Sequence, residues 1–219
     1  MDRSRVAILI PAFNEEITIS AVVHEVRGAG VPIVIDDGSS DQTARIAEDA
    51  GAIVVSHPKN KGYDMAIRTG LQWAVDRDFL VAVTFDADGQ HLLSDLIRVL
   101  ICLEDGAKVV IGIRDRFQRE SEKLGSFITR LAWGVRDPLC GMKGYDLAAV
   151  SRHWVPPTFN SVGMEMAIRL VLAGERTDQI EISTRDRSDQ SRFSASFMAN
   201  MVILKAIVRL LWRFGKAQR

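Results

Sequence analysis

The sequence predicts an α/β fold in which a mostly parallel sheet carries helices on both faces, and three observations lead there. Short runs rich in Val and Ile, apolar on both faces, recur through the first half of the chain. Amphipathic stretches of helical period separate them, and acidic or polar clusters follow the runs directly. With 219 residues, 47% hydrophobic and 26% charged, the chain can bury one sizeable core but is too short for two comfortable domains.

In order, residues 6–10, 32–35, 52–55, 80–85 and 108–113 read as strands, each apolar on both sides as a strand covered by helices must be. Helical patterns fit 15–27, 41–50, 61–77 and 92–104 in the intervals. In such open sheets ligands bind beyond the carboxyl ends of the strands, so the polar clusters at those ends are the candidate site. The second half is less regular. Residues 114–123 read as a charged loop, 125–135 as a short helix, and 137–145 as a turn-rich segment around Pro138, Gly141 and Gly144. A helix over 161–173, an edge strand over 179–183, a basic loop over 185–192 and a long helix over 196–214 follow. The expected division is a catalytic domain over 1–195 and a basic amphipathic helix over 196–219.

Charge and composition narrow the function. Lys plus Arg and Asp plus Glu both number 28, and a net charge of zero argues against a general nucleic-acid binder. The balance is uneven, because the stretch from Arg185 to Arg219 holds eight basic and two acidic residues and leaves the body before it acidic. Two cysteines, Cys102 and Cys140, make neither a disulfide framework nor a metal-ligand pattern and point to a reducing, cytoplasmic setting. The first apolar run is cut short by Pro11, Asn14, Glu15 and Glu16, which reads as a strand and not as a signal-peptide core. No window reaches the length of uninterrupted apolar sequence that a membrane span needs. No G-x-G-x-x-G follows the first strand, which disfavours a dinucleotide-dependent oxidoreductase.

Three strand-end clusters carry the chemistry. Pro11-Ala-Phe-Asn-Glu-Glu16 combines an aromatic for stacking with a carboxylate that can accept from a ribose or a base; the alternative is that Asn14 merely caps the next helix. Asp36-Asp-Gly-Ser-Ser-Asp-Gln-Thr43 brings carboxylates to a tight turn, with Asp37 as the binder and Asp41 as the structural residue. In Phe85-Asp-Ala-Asp-Gly-Gln-His91, strand alternation points Asp86, Asp88 and Gln90 the same way. Two carboxylates and an amide oxygen at a strand end suit Mg or Mn, with nucleotide phosphates completing the shell. A lone D-x-D is common in surface turns, and here its place after a very apolar strand favours the metal reading. His91 is assigned only as a helix-start neighbour.

Taken in order, these clusters, with Asn60-Lys-Gly-Tyr63 and Asp137-Pro-Leu-Cys-Gly-Met-Lys143, resemble the family 2 glycosyltransferases, most of all the dolichyl-phosphate mannosyltransferase and polyprenyl-phosphate glycosyltransferase branch. The resemblance spans about residues 5–192 and implies a glycosyltransferase A-type fold. It implies that Ala12, Phe13, Glu15 and Asp37 hold the base and ribose of a nucleotide sugar, with Ala87 beside the donor. It implies that Asp86, Asp88 and Gln90 hold a divalent Mg or Mn on the diphosphate, and that Arg114 faces the acceptor phosphate. Arg187, Ser191 and Arg192 match the late residues that close over donor phosphates. The family's Gly is absent there and the Arg spacing differs by one, so Arg185 and Arg187 stay as alternatives for the phosphate contact.

The expected reaction moves a hexose from a GDP-mannose or UDP-glucose type donor to a polyprenyl or dolichyl phosphate. A phosphate monoester, with a second pKa of about 6, needs no protein base. Metal and Arg contacts then stabilise the departing nucleoside diphosphate, with Asp88, Arg114 and Asp137 as the catalytic candidates. A saccharide hydroxyl acceptor would need a carboxylate base, for which Asp137 or Glu165 is the candidate. A non-catalytic nucleotide-binding module is the remaining alternative. The terminal helix repeats Lys205, Arg209 and Arg213 every four residues on an otherwise apolar surface, which suits peripheral contact with the cytoplasmic membrane face or a membrane subunit. A helix packed on the domain, or a homodimer interface, is the alternative use of that stripe, and the 125–135 helix is a second candidate lipid-facing patch.

Overall fold

Strand β1 (Val6–Ala12) is buried at every position, because successive residues go to opposite faces of the sheet and both faces are covered. Ile8 and Ile10 belong to one apolar cluster and Leu9 to the other. In the computed structural model the described residues are 1–115, 120–154, 162–185, 205, 207–209, 211, 212 and 214. The remaining strands are β2 (Val31–Asp36), β3 (Ile53–Ser56), β4 (Val81–Thr84), β5 (Val109–Arg114), β6 (Lys143–Asp146) and β7 (Thr177–Ile182). They form one sheet in the order β3-β2-β1-β4-β6-β5-β7. β6 alone is antiparallel to its neighbours, so the predicted mostly parallel α/β fold is what the chain adopts.

Helices α1 (Ile19–Val26) and α4 (Leu93–Glu104) cover one face of this sheet. The other is covered by α3 (Tyr63–Val75), α6 (Leu147–Arg152) and α7 (Val162–Leu172). α2 (Thr43–Asp49) and α5 (Glu120–Trp133) are further α-helices. Chain order runs outward from β1 to β2 and β3, then returns to β4 on the other side of β1. That reversal opens a crevice beyond the carboxyl ends of β1 and β4, where an open α/β sheet takes its ligand.

Three expectations need correction. The 137–145 segment is turn-rich only as far as Met142, and β6 then inserts between β4 and β5. Lys-Gly-Tyr-Asp carries no strand-like alternation, and its strand character comes from pairing on both sides with Val83 and Val110 opposite Gly144. Gly144 has no room for a side chain, since a Cβ there would lie 2.5 Å from Val99 on α4. Among the described residues the stretch after Arg114 is already helical at Glu120, before the expected start at 125, and Glu122 is buried there beside Arg114. The first helix starts at Ile19 and not at residue 15, because Asn14 stands at φ 54° and its side chain serves another loop.

Candidate active site

Each wall element of the crevice is the residue or loop that ends a strand. After β1, the backbone N–H of Asn14 donates to Ser39 Oγ at 2.9 Å, and its side-chain Oδ1 accepts from Ser40 N–H at 2.8 Å. Glu15 N–H donates to Thr43 Oγ1 at 2.7 Å. Asn14 thus ties the β1 loop to the β2 loop and does not cap α1. Asp41 accepts from Thr43 N–H and Glu16 N–H in the same seam. Phe13, held above this seam, stays 37% exposed and presents its ring to the crevice.

Asp37 is 3% exposed and its carboxylate is an anchor as well as a cleft residue. It accepts from Lys61 N–H at 2.9 Å and Gly62 N–H at 2.7 Å, at the N-terminal end of α3 where backbone donors lack helical partners. His57 Nδ1 lies 2.6 Å from it, and because a carboxylate only accepts, that nitrogen carries the proton. His57 Nε2 then meets Thr69 Oγ1 at 2.9 Å on α3. Gly38, at φ 74°, lets the turn lie against the backbone of Lys59 and Asn60, which a Cβ would strike at 2.6–2.7 Å.

Beyond β4, Asp86 is gripped from two sides. Tyr63 Oη donates to Oδ1 at 3.1 Å, and His91 Nε2 donates to Oδ2 at 3.0 Å. Burial alone would raise this carboxyl; the His91 imidazole, with Tyr63 and Lys143, outweighs it and holds the pKa below the usual carboxylate value. A third contact is backbone: a Cβ on Gly141 would lie 2.1 Å from Asp86 Oδ2, so only glycine lets the 140–142 segment close on the carboxylate. Thr84 fastens that segment, donating to Gly141 O and accepting from Lys143 N–H at 3.0 Å. Asp88 Oδ1 accepts from Gln90 N–H at 3.0 Å across Gly89, and Gln90 Nε2 donates to Arg185 O at 3.3 Å.

The opposite wall is made of charge pairs. Arg114, at the end of β5, donates from Nε and Nη2 to the two oxygens of Asp137 at 2.8 and 3.1 Å, and its backbone N–H reaches Asp137 at 3.2 Å. Glu122 lies 3.3 Å from the same guanidinium. Asp137 is 1% exposed, so this bidentate pair is buried. Glu165 is likewise buried on α7 and paired with Arg169 at 2.7 Å. Burial pushes the Cys140 thiol up to about 12, so this cysteine is an uncharged core residue.

These walls enclose a cleft of about 600 Å³. Ala12, Phe13, Glu15, Asp37, Asp86, Ala87, Asp88, Gln90 and Arg114, all singled out from the sequence, line it together. Asp137 reaches the cleft through Arg114. Arg187, Ser191 and Arg192 lie outside the described residues. Arg185, the alternative to Arg187, turns its guanidinium to Glu25 at 3.1 Å. Sequence reading missed three contributors, one of them His91, which was assigned only as a helix-start neighbour and instead donates to Asp86 Oδ2, while α4 begins at Leu93. His57 stands alone after β3 with no local motif, and Tyr63 is visible only as a member of Asn60-Lys-Gly-Tyr63 with no role attached.

A crevice of about 600 Å³ at the switch point of a mostly parallel sheet, with an acidic strand end, is a ligand site of the kind open α/β enzymes use, and the class of enzyme follows from the family. The chain belongs to glycosyl transferase family 2, whose family description matches residues 7–152. It is 32% identical to a UDP-N-acetylglucosamine–dolichyl-phosphate N-acetylglucosaminyltransferase of Methanococcus voltae, over 65% of this chain and 70% of that protein. It is 27% identical to an undecaprenyl-phosphate mannosyltransferase of Micrococcus luteus, over 98% of this chain and 96% of that protein. Among solved structures, glucosyl-3-phosphoglycerate synthase of Mycobacterium tuberculosis shares the fold with a TM-score of 0.76 at 21% identity, covering 98% of this chain and 81% of that one. The relatives' names agree with the polyprenyl-phosphate branch that the motifs suggest.

Proposed function

We propose that this glycosyltransferase is a divalent-metal-dependent, inverting hexosyltransferase. It takes its sugar from a nucleotide donor of the GDP-mannose or UDP-glucose type and transfers it to a polyprenyl or dolichyl phosphate at the cytoplasmic membrane face. The observation that carries the acceptor reading is the engagement of both candidate bases: Asp137 is bound bidentately by Arg114, and Glu165 is paired with Arg169. A saccharide hydroxyl needs a carboxylate to take its proton, whereas a lipid phosphate arrives already ionised. The names of the relatives in Methanococcus voltae and Micrococcus luteus support the same acceptor class.

The donor set fits a hard cation. Among the described residues, no three His, Cys, Asp or Glu side chains gather closely enough to hold a metal by themselves. A Mg or Mn that keeps substrate phosphates in its shell needs only one or two carboxylates. Asp88, with Asp86 and Gln90 beside it in the cleft, would hold it, and there it would neutralise charge on the leaving diphosphate. Phe13, Ala12, Glu15 and Asp37 would receive the base and ribose, with Ala87 beneath the donor. Arg187, Ser191 and Arg192 would close over its phosphates. The acceptor phosphate oxygen forms a bond to the anomeric carbon as the bond from that carbon to the diphosphate oxygen breaks. In-line displacement of this kind inverts the configuration.

Thermal melting with a panel of nucleotide sugars, with and without Mn, tests the donor, because a bound donor stabilises the fold by mass action. Transfer from the stabilising donor to polyprenyl phosphate and not to a soluble saccharide is the expected outcome. Transfer to a soluble saccharide that Asp137→Asn abolishes would replace the phosphate acceptor with a hydroxyl. A chain that neither transfers nor hydrolyses any nucleotide sugar would be a binding module.

A further inference from the structure

Past β7 the chain runs on through residues 183–185 from one wall of the cleft to the other, and each of the three is tied down. Ser183 N–H donates to Asp95 Oδ2 at 3.0 Å. Thr184, which lines the cleft, donates from Oγ1 to Asp115 Oδ1 at 3.2 Å, one residue beyond Arg114. Arg185 N–H donates to the backbone oxygen of Gln90 at 2.9 Å, and Arg185 O accepts from Gln90 Nε2 at 3.3 Å. Gln90 and Arg185 are thus joined twice.

The second of these bonds decides which end of the Gln90 amide faces the cleft. A backbone carbonyl only accepts, so the amide atom turned toward it is the nitrogen, and the amide oxygen faces away. Gln90 lines the cleft with Asp86 and Asp88, and a hard cation there takes oxygen and not an amide N–H. Without Arg185 O, nothing in this arrangement would choose between the two ends.

Two carboxylates outside the cleft lining keep Arg185 O in place. Asp95, 4% exposed in the first turn of α4, takes Ser183 N–H on Oδ2 and Arg98 Nη1 on Oδ1 at 2.9 Å. Arg98 Nη1 also reaches Glu181 O at 2.7 Å, at the end of β7. Glu25, at the C-terminal end of α1, takes both terminal nitrogens of Arg185, at 3.1 and 3.3 Å, across 160 residues of chain. It also accepts Leu93 N–H at 3.3 Å, a donor without a helical partner at the start of α4. One side chain therefore joins α1, α4 and the 183–185 strap.

We infer that Glu25 is a positioning residue for Gln90: by gripping the Arg185 guanidinium as a fork, it holds Arg185 O against the Gln90 amide and keeps the amide oxygen turned to the cation site. The inference rests on the divalent-metal reading above. It makes the Arg185 side chain a strut to α1 and not a contact to donor phosphate. The pair is partly exposed, with Arg185 and Glu25 side chains 50% and 22% accessible, and such pairs add little to global stability. The work of Glu25 accordingly falls on the site and not on the fold.

The experiment is Mn binding to the full chain in the presence of UDP or GDP, followed by the electron paramagnetic resonance of free Mn, beside calorimetric titration of the same nucleotide without metal. Glu25→Gln keeps an acceptor for Leu93 N–H but loses the charge. It should weaken Mn binding roughly tenfold, the low end for a residue that orients a metal ligand. Glu25→Lys, which repels Arg185, should weaken it further. Both variants should keep the parent melting temperature and the parent affinity for metal-free nucleotide. In a Gln90→Ala background, Glu25→Gln should change Mn affinity by less than about twofold, because the group it acts through is gone. The inference is overturned if both Glu25 variants bind Mn as the parent does, or if the losses from Glu25→Gln and Gln90→Ala simply add. It is overturned too if Glu25→Gln tightens metal-free nucleotide while Arg185→Gln weakens it, which would assign the guanidinium to phosphate. A parent that binds no Mn with either nucleotide would bring down the metal reading itself, and the inference with it.

Discussion

The two walls of the cleft hold their carboxylates by different means. On the wall built by the first half of the chain, Asp37 and Asp86 are fixed by backbone amides, a tyrosine hydroxyl and imidazoles. Neither is ion-paired to a Lys or Arg among the described residues. On the wall built by the second half, one guanidinium, Arg114, answers both Asp137 and Glu122. Amides and hydroxyls orient a carboxylate without cancelling its charge, whereas a guanidinium balances one carboxylate. The first wall therefore presents carboxylates that no Lys or Arg among the described residues pairs with, which suits a cation. The second is an ionic clamp in which one guanidinium serves two carboxylates, so Asp137 is held by Arg114 and is not poised as a base.

Cutting into the first wall at its candidate metal ligand should have the largest effect. Asp88→Ala should lower transfer by about a thousandfold, roughly 4 kcal/mol of transition-state stabilisation. It should also erase the Mn-dependent part of the thermal shift given by the donor. Undiminished transfer in a metal-supplemented assay would move the cation elsewhere. On the second wall, Asp137→Asn should act first on stability. The variant loses the charge-assisted bidentate bonds to Arg114 and leaves Glu122 to balance the guanidinium, at a cost of about 2 kcal/mol, read as a lower denaturation midpoint. The donor should still raise the melting temperature of that variant, since the first wall is intact. If stability were unchanged and only transfer were lost, Asp137 would be a working base and the contrast between the walls would fail.

The same contrast explains what could be read from the sequence. The first wall lies at the ends of apolar strands whose period is visible in the chain, and its Asp37, Asp86, Asp88 and Gln90 sit in short local motifs. All four reach one cleft. Its supports were less visible, because His57 and Tyr63 act over 20 and 23 residues of chain, and such distances leave no local spacing to detect. On the second wall Arg114 and Asp137 were both singled out, but not their mutual bond across 23 residues. β6 escaped notice because Lys-Gly-Tyr-Asp becomes a strand only between two partners. The early start of α5 escaped because Glu122 reads as one more charge in a charged run, and only the fold shows that it is buried.

A smaller effect tests how closely the first wall holds its shape. The Gly141→Ala methyl would overlap Asp86 Oδ2, and because the 140–142 segment is fastened to Thr84, the carboxylate is what must move. Misplacement by about an ångström near the reacting groups costs up to roughly a hundredfold, so kcat should fall 10–100-fold while the melting temperature changes little. A variant with unchanged kcat would mean that Asp86 is not held to a required position.

The smallest effect is expected at Tyr63. Its hydroxyl is one of two side-chain donors to Asp86, and Tyr63→Phe removes it without altering the ring. His91, 3% exposed, still holds Oδ2, and Gly141 still closes on the carboxylate. Tyr63 is 45% exposed at the mouth of the cleft, so water can reach Oδ1 in its place. A replaced hydrogen bond of this kind is worth about 1 kcal/mol, a fewfold change. That change should fall on the Mn concentration needed for half-maximal rate more than on kcat at saturating metal, because the carboxylate is loosened and not displaced. If Tyr63→Phe instead matched the loss from Gly141→Ala at saturating metal, the hydroxyl would have to touch the donor itself. The first wall would then be more than a frame for carboxylates.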